Sequence, residues 1–334
     1  MIKKTFATVI FVFFLVFPIS SFSCAAKDHN DYDTDEISNA SEGGWYYLPS
    51  YPNYAPNGLP DFDQCSQNDW KTWVVVWSLC APNSVANIFW WFDSKHADPN
   101  GAPGDGIDEY PLVKNLNAKG DPLPGPYKDD HCYSNVNVVD TPLVRKIPSG
   151  ELVEQIAWYV NQNFRRHYFF RFLTAGTRIP YLKRGVEQWI DEAGLKEKYN
   201  VESIFKPEFS DIVERLHDNQ GIILFMAFRN PIGEHFKIFK SIKKLQTLNG
   251  HYVSLAGINP AGYIALSDPF LNVANPYPSP MEHCNASVVS HDIYEVNFSS
   301  PCPKITSWWV PNYRILPISQ GAFVTYAMAI SEIE

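Results

Sequence analysis

The sequence predicts an α+β domain in which a helical first part packs on an antiparallel sheet contributed by the second part. Apolar residues recur at helical spacing within residues 81–92, 151–163, 181–193 and 209–218. Apolar, β-prone runs bounded by turn residues then follow at 221–228, 252–258, 263–267 and 323–330. Helices first and strands later, with no internal repeat, is the pattern of α+β layouts rather than alternating α/β ones.

Taken in order, the chain opens with Met1, Ile2, Lys3 and Lys4, an apolar run from Phe6 to Ile19, and small residues at Ser21, Ser23, Ala25 and Ala26. Residues 1–26 read as a secretory signal peptide. The apolar run is shorter than the roughly 18 to 20 residues that span a bilayer, and no later segment approaches that length. The expectation is a secreted or cell-envelope protein without a membrane span. Cys24, just after the apolar run, offers a lipid anchor as an alternative fate of the N-terminus, although Ser21 stands where bacterial lipoproteins usually carry leucine. Residues 27–44 are acidic and lack apolar periodicity, as a flexible spacer does. Residues 45–334 form the domain, beginning with an irregular arm over 45–69 that is rich in Tyr, Pro and Asn. A short β-prone run at 73–77 precedes the first helix, with Cys80 at the helix start and Val85, Ile88, Phe89 and Phe92 on one side. Gly, Pro and Asp dominate residues 98–133, a long loop. In the second half Asn259-Pro260-Ala261-Gly262 reads as a four-residue turn joining two strands.

A hydrophobic fraction of 45% over 334 residues is enough to bury a large core. The formal net charge is −9, and loss of a leader holding Lys3 and Lys4 makes the mature chain more acidic still. That disfavours nucleic acid as a partner. Of six cysteines, five follow the leader: Cys65, Cys80, Cys132, Cys284 and Cys302. An odd number in an oxidising compartment leaves at least one thiol without an intramolecular partner.

Two motifs carry chemistry. In Trp77-Ser78-Leu79-Cys80-Ala81-Pro82-Asn83-Ser84 a cysteine stands at a helix N-terminus, where the macrodipole favours thiolate, and Pro82 is tolerated because a first-turn N–H has no acceptor anyway. Taken alone, Cys80 is equally explained as half of a disulfide. In Asn249-Gly250-His251-Tyr252-Val253-Ser254-Leu255-Ala256-Gly257 a histidine begins one strand, and the next strand ends at Ser267-Asp268-Pro269. A hairpin sets His251 and Asp268 side by side, and a carboxylate beside an imidazole fixes its tautomer and orientation. Alone, a histidine opening an apolar strand is more often structural.

Cys-x-Pro-x-Ser at a helix start, Gly-His-Tyr-Val with Gly257 six residues beyond the histidine, and a later Asp-Pro together resemble the papain-like peptidases related to the double-glycine, bacteriocin-processing family. The resemblance covers residues 59–271. It implies a papain-like cysteine peptidase fold, with Cys80 as nucleophile, His251 as general base and acid, and Asp268 as orienter. It also implies a glutamine upstream of the cysteine that helps form the oxyanion hole. Gln64, within Asp61-Phe62-Asp63-Gln64, matches that stretch at a longer spacing than the family uses. Bacteriocin-processing members are fused to membrane transporters; this chain has no transmembrane run and no GxxxxGK[ST] loop.

With Cys80 free, the remaining four cysteines can form two disulfides, for example Cys284 with Cys302 and Cys65 with Cys132, among three possible pairings. Asp129-Asp130-His131-Cys132 lacks metal-ligand spacing, and Asp98, Asn100, Asp105 and Asp108 do not follow the order of a calcium loop. No cofactor is expected. The resulting expectation is a secreted cysteine peptidase-like hydrolase acting on a peptide or protein substrate through an acyl-enzyme. Two alternatives stand beside it: a protease-fold binding module without turnover, and an acyl transferase using the same site.

Overall fold

The computed structural model describes residues 44–52, 55–62, 79–96, 110–113, 152–162, 176–228, 250–269, 292–313 and 321–333. The leader, residues 27–43 of the spacer, Gln64, the run at 73–77, and Cys65, Cys132 and Cys284 lie outside the described residues, as do the two acidic loops weighed for metals. The elements are β1 (Tyr46–Tyr47), α1 (Cys80–His96), α2 (Leu152–Tyr159), α3 (Ile179–Glu192), β2 (Tyr199–Phe205), α4 (Phe209–His217), β3 (Gly221–Phe228), β4 (Gly250–Asn259), β5 (Tyr263–Ser267), β6 (Asp292–Glu295), β7 (Trp309–Val310) and β8 (Ala322–Glu332).

Helices and an open antiparallel sheet make this an α+β architecture. The strand order is β2-β8-β3-β4-β5-β6, with β1 added to β4 and β7 to β8. The central strands β3, β4 and β8 are buried along nearly their whole length, which is why they read as continuous apolar runs instead of alternating ones. The edge strand β2 alternates buried Tyr199 and Val201 with exposed Asn200 and Glu202. Its helical neighbours and flanking lysines hide it in the sequence. Among the described residues no helix is long and apolar enough to cross a membrane.

The helix α1 departs most from a simple amphipathic reading. Every residue from Ala81 to Ser94 is buried, not only the side bearing Val85, Ile88, Phe89 and Phe92. The sheet lies against it through β4, where the Ser254 hydroxyl donates to the Ser84 carbonyl at 3.0 Å. The arm expected over 45–69 covers another side. Trp91 Nε1 donates to the Pro49 carbonyl at 2.8 Å, the Phe62 amide donates to Asn87 Oδ1 at 3.0 Å, and the Phe62 ring meets Trp90 edge-on. Removing a Phe-sized side chain from water stabilises a fold by about 1.5–3 kcal/mol, so Phe89, Trp90, Trp91 and Phe92 fasten this helix strongly. Two of its buried polar side chains are bonded at the C-terminal end. Asp93 Oδ2 accepts from the Val113 amide at 2.7 Å, and the Ser94 hydroxyl donates to the Trp90 carbonyl at 2.6 Å.

The hairpin of β4 and β5 holds the most consequential detail. Asn259 pairs with Tyr263, so the connection is three residues long, with Gly262 at φ 106°. The pairing then slips at Ala256, which bulges so that Leu255 faces Leu266 while Gly257 faces Ala265. A loop one residue shorter than the expected turn and a strand one residue longer offset each other. The register at the far end is Ser254 with Ser267, and this sets Asp268 on the same face of the sheet as Val253 and His251. Without the bulge, the Asn259–Tyr263 register would carry Asp268 opposite Ser254 and onto the other face. The bulged Ala256 carbonyl accepts from the Leu48 amide at 2.9 Å, so the arm holds the irregularity in place. Beside it Gly257 lacks a side chain because a Cβ there would lie 2.4 Å from the Tyr47 ring.

Candidate active site

Cys80 is the first residue of α1. The Leu79 carbonyl accepts from the Asn83 amide at 2.9 Å and from Asn83 Nδ2 at 3.0 Å, fixing the turn that presents the cysteine. A backbone N–H in the first turn has no acceptor within the helix, and such groups favour a nearby anion. The Cys80 side chain is partly exposed and its thiol is free. Cys302 is likewise a free thiol, which does not bear out the pairing with Cys284 offered as an example, while Cys65 and Cys132 lie outside the described residues.

His251 is the second residue of β4, paired with Met226 of β3 and only 5% exposed. Gly250 before it lets the chain pass tightly over its neighbour: a Cβ there would sit 2.4 Å from the Phe225 ring and 2.8 Å from the Met226 carbonyl oxygen. Ring Nε2 of His251 bonds Asp268 Oδ1 at 2.7 Å. That leaves Nδ1 for the hydrogen bond His251 shares with the Cys80 side chain. Burial pushes the imidazole toward its neutral form. The Asp268 carboxylate, the Cys80 sulfur and the hydrogen bonds to both outweigh it and raise the pKa from 6.5 to about 10. At neutral pH His251 is an imidazolium between a sulfur and a carboxylate.

Asp268 is fully buried. Its second oxygen, Oδ2, accepts from the Tyr313 hydroxyl at 2.6 Å. Burial, then the neighbouring Asp268, hold the Tyr313 phenol well above its usual range, so it stays a neutral donor. Tyr313 is itself fully buried, with Tyr294 packed edge-on at 5.3 Å and Phe228 stacked at 6.4 Å. The sequence reading missed Tyr313. It sits in Pro311-Asn312-Tyr313, just past β7, where nothing in residue type or spacing links it to a histidine 62 positions earlier.

Of the predicted site residues, Cys80, His251 and Asp268 come together from α1, β4 and the end of β5, while Gln64 lies outside the described residues. A thiol in contact with a buried imidazolium–carboxylate pair can do nucleophilic chemistry. Among the described residues no three His, Cys, Asp or Glu side chains converge as metal ligands. Compared with known proteins, the chain matches no family model and no curated protein.

Proposed function

We propose that the protein is a cysteine hydrolase of the papain-like kind that cleaves an amide or peptide bond through a thioester intermediate. The observation that carries this reading is His251, which contacts the Cys80 thiol on one side and the buried Asp268 on the other. The Cys80 sulfur attacks the substrate carbonyl carbon, forming a C–S bond while the carbonyl oxygen takes up the negative charge. His251 then gives its proton to the departing amine nitrogen as the C–N bond breaks. Water next attacks the thioester, with His251 accepting its proton. The new C–O bond releases the acid, and the C–S electrons return to sulfur. The Cys80 N–H is one donor for the developing oxyanion, and Gln64 is the second donor that the family resemblance supplies. The leader-like composition of residues 1–26 supports an activity outside the cytoplasm as part of this proposal.

The test needs no known substrate at first. Iodoacetamide at pH 6, with the Cys80 peptide followed by mass spectrometry, is expected to alkylate Cys80 at least about tenfold faster than free cysteine. A mixed peptide pool then gives a hydrolysis readout. Labelling no faster than free cysteine, or hydrolysis that survives Cys80→Ala, would sink the reading. Adding a small amine separates acyl transfer, which yields a new amide, from hydrolysis, which yields the acid.

A further inference from the structure

A second buried carboxyl stands beside the orienting one. Asp292 faces Leu266 across the β5–β6 pair, so it is the diagonal neighbour of Asp268 on the same face of the sheet. It is 8% exposed, and its Oδ2 has no hydrogen-bond partner among the described residues. Among the described residues the titratable groups facing this pair are His251 on β4 with Cys80 beyond it, Tyr294 on β6 and Tyr313 beyond β7. Two carboxyls on one buried face of neighbouring strands repel when both ionise, so the pair favours a single negative charge with a proton held on one of them.

The donors are distributed unequally. Asp268 accepts from His251 on Oδ1 and from Tyr313 on Oδ2. From these contacts we infer that Tyr313 is a positioning residue, which keeps the shared negative charge on Asp268 and leaves Asp292 as the neutral acid. Burial, then the charge of Asp268, push the Asp292 carboxyl well above the usual carboxylate range, in keeping with that division. The consequence for the site is directional. Only a charge on Asp268 can hold the His251 imidazolium in line with Cys80. A charge on Asp292 would leave His251 hydrogen-bonded to a neutral group.

The inference rests on reading Cys80, His251 and Asp268 as one reactive centre, and its test separates the two. Cys80 alkylation by iodoacetamide is measured from pH 5 to 9 in the wild type, Tyr313→Phe, Asp292→Asn and the double variant. Losing a hydrogen bond to a charged group changes an equilibrium by about tenfold or more. Tyr313→Phe is therefore expected to slow alkylation about tenfold when Asp292 is present. In the Asp292→Asn background it should slow alkylation about twofold or less, because an amide cannot take the charge. Equal slowing in both backgrounds, or none in either, overturns the inference, since packing loss is indifferent to Asp292. Infrared spectroscopy decides independently of Tyr313→Phe folding. The carbonyl stretch of a protonated buried acid should vanish in Asp292→Asn; its persistence overturns the inference. If wild-type Cys80 reacts no faster than free cysteine, the reactive-centre reading fails, while the infrared band still reports on the carboxyl pair.

Discussion

The helix α1 ends at both termini on a pairing of histidine with carboxylate, and the two pairs behave differently. At the N-terminal end His251 meets Asp268 with side chains 6% and 0% exposed. At the C-terminal end His96, together with Lys95, meets Glu332 with the His96 and Glu332 side chains 35% and 20% exposed. In the buried pair the carboxylate raises the imidazole to a pKa of about 10 despite burial. In the exposed one burial pushes Glu332 up, but hydrogen bonds from His96 and Lys95 outweigh it and bring the carboxyl down to about 2. Similar groups thus serve two purposes, and dielectric surroundings decide which. In a dry site the pair holds a proton beside the Cys80 thiol; at the surface it fastens the end of β8 to the helix that begins at Cys80.

The sharpest way to break the comparison is to neutralise each carboxylate in turn. Asp268→Asn should slow Cys80 alkylation by at least about a hundredfold, because the imidazole loses the group that fixes its charge and tautomer. Glu332→Gln should leave alkylation within about twofold. Similar effects from both substitutions would mean the two pairs are not functionally distinct.

The next largest effect is on stability at alkaline pH. His251 has its folded pKa raised from 6.5 to about 10, so its contribution is fully present below pH 6.5 and is lost as pH rises through about 10. Melting temperature followed across that window should fall in the wild type and fall less in His251→Gln. A His251→Gln protein with the same alkaline slope would show that the buried pair does not store the proton.

How much of this was legible in the sequence differs between the ends of the site. Cys80 and His251 are readable because their motifs are local: a cysteine at a helix start, and Gly-His-Tyr-Val opening a strand, which together carry the family resemblance. Asp268 followed from the hairpin, although the three-residue loop and the Ala256 bulge were not foreseen, and the correct pairing depended on their offsetting each other. Tyr313 and Asp292 were invisible because they reach Asp268 through sheet pairing and a turn far along the chain, with no periodicity to announce them. The same holds for α1. Its apolar spacing revealed one buried side, but the arm that buries Trp90 and Trp91 makes contacts a local pattern cannot encode. The edge strand β2 was missed because its alternation lasts only from Tyr199 to Glu202 and breaks at Ser203.

A smaller effect tests whether the buried pair depends on the tight passage of β4. Gly250→Ala places a Cβ against the Phe225 ring and the Met226 carbonyl. Overpacking of this kind costs about 1–3 kcal/mol. The midpoint of urea unfolding should fall accordingly, and Cys80 alkylation should slow with it because His251 is the next residue. Alanine tolerated without loss of either would show that β4 has slack where the structure leaves none.

The exposed pair should give the smallest effect, and its sign is opposite to that of the buried one. Glu332 has its folded pKa lowered from 4.5 to about 2, so its contribution is present above pH 4.5 and is lost as pH falls toward about 2. Its partners are Lys95, His96 and the Tyr199 hydroxyl, which donates at 3.0 Å and meets the Tyr110 hydroxyl at 2.9 Å. Because solvent screens a pair this exposed, Glu332→Gln should cost below about 1 kcal/mol at neutral pH, and the cost should shrink further in high salt. Unfolding curves at pH 7 and pH 3 decide the matter, since the gap between the wild type and Glu332→Gln should shrink to well under half at the lower pH. If they stay equally far apart at both, Glu332 fastens β8 by packing along its stem rather than by charge, and the contrast between the two ends of α1 is one of burial alone.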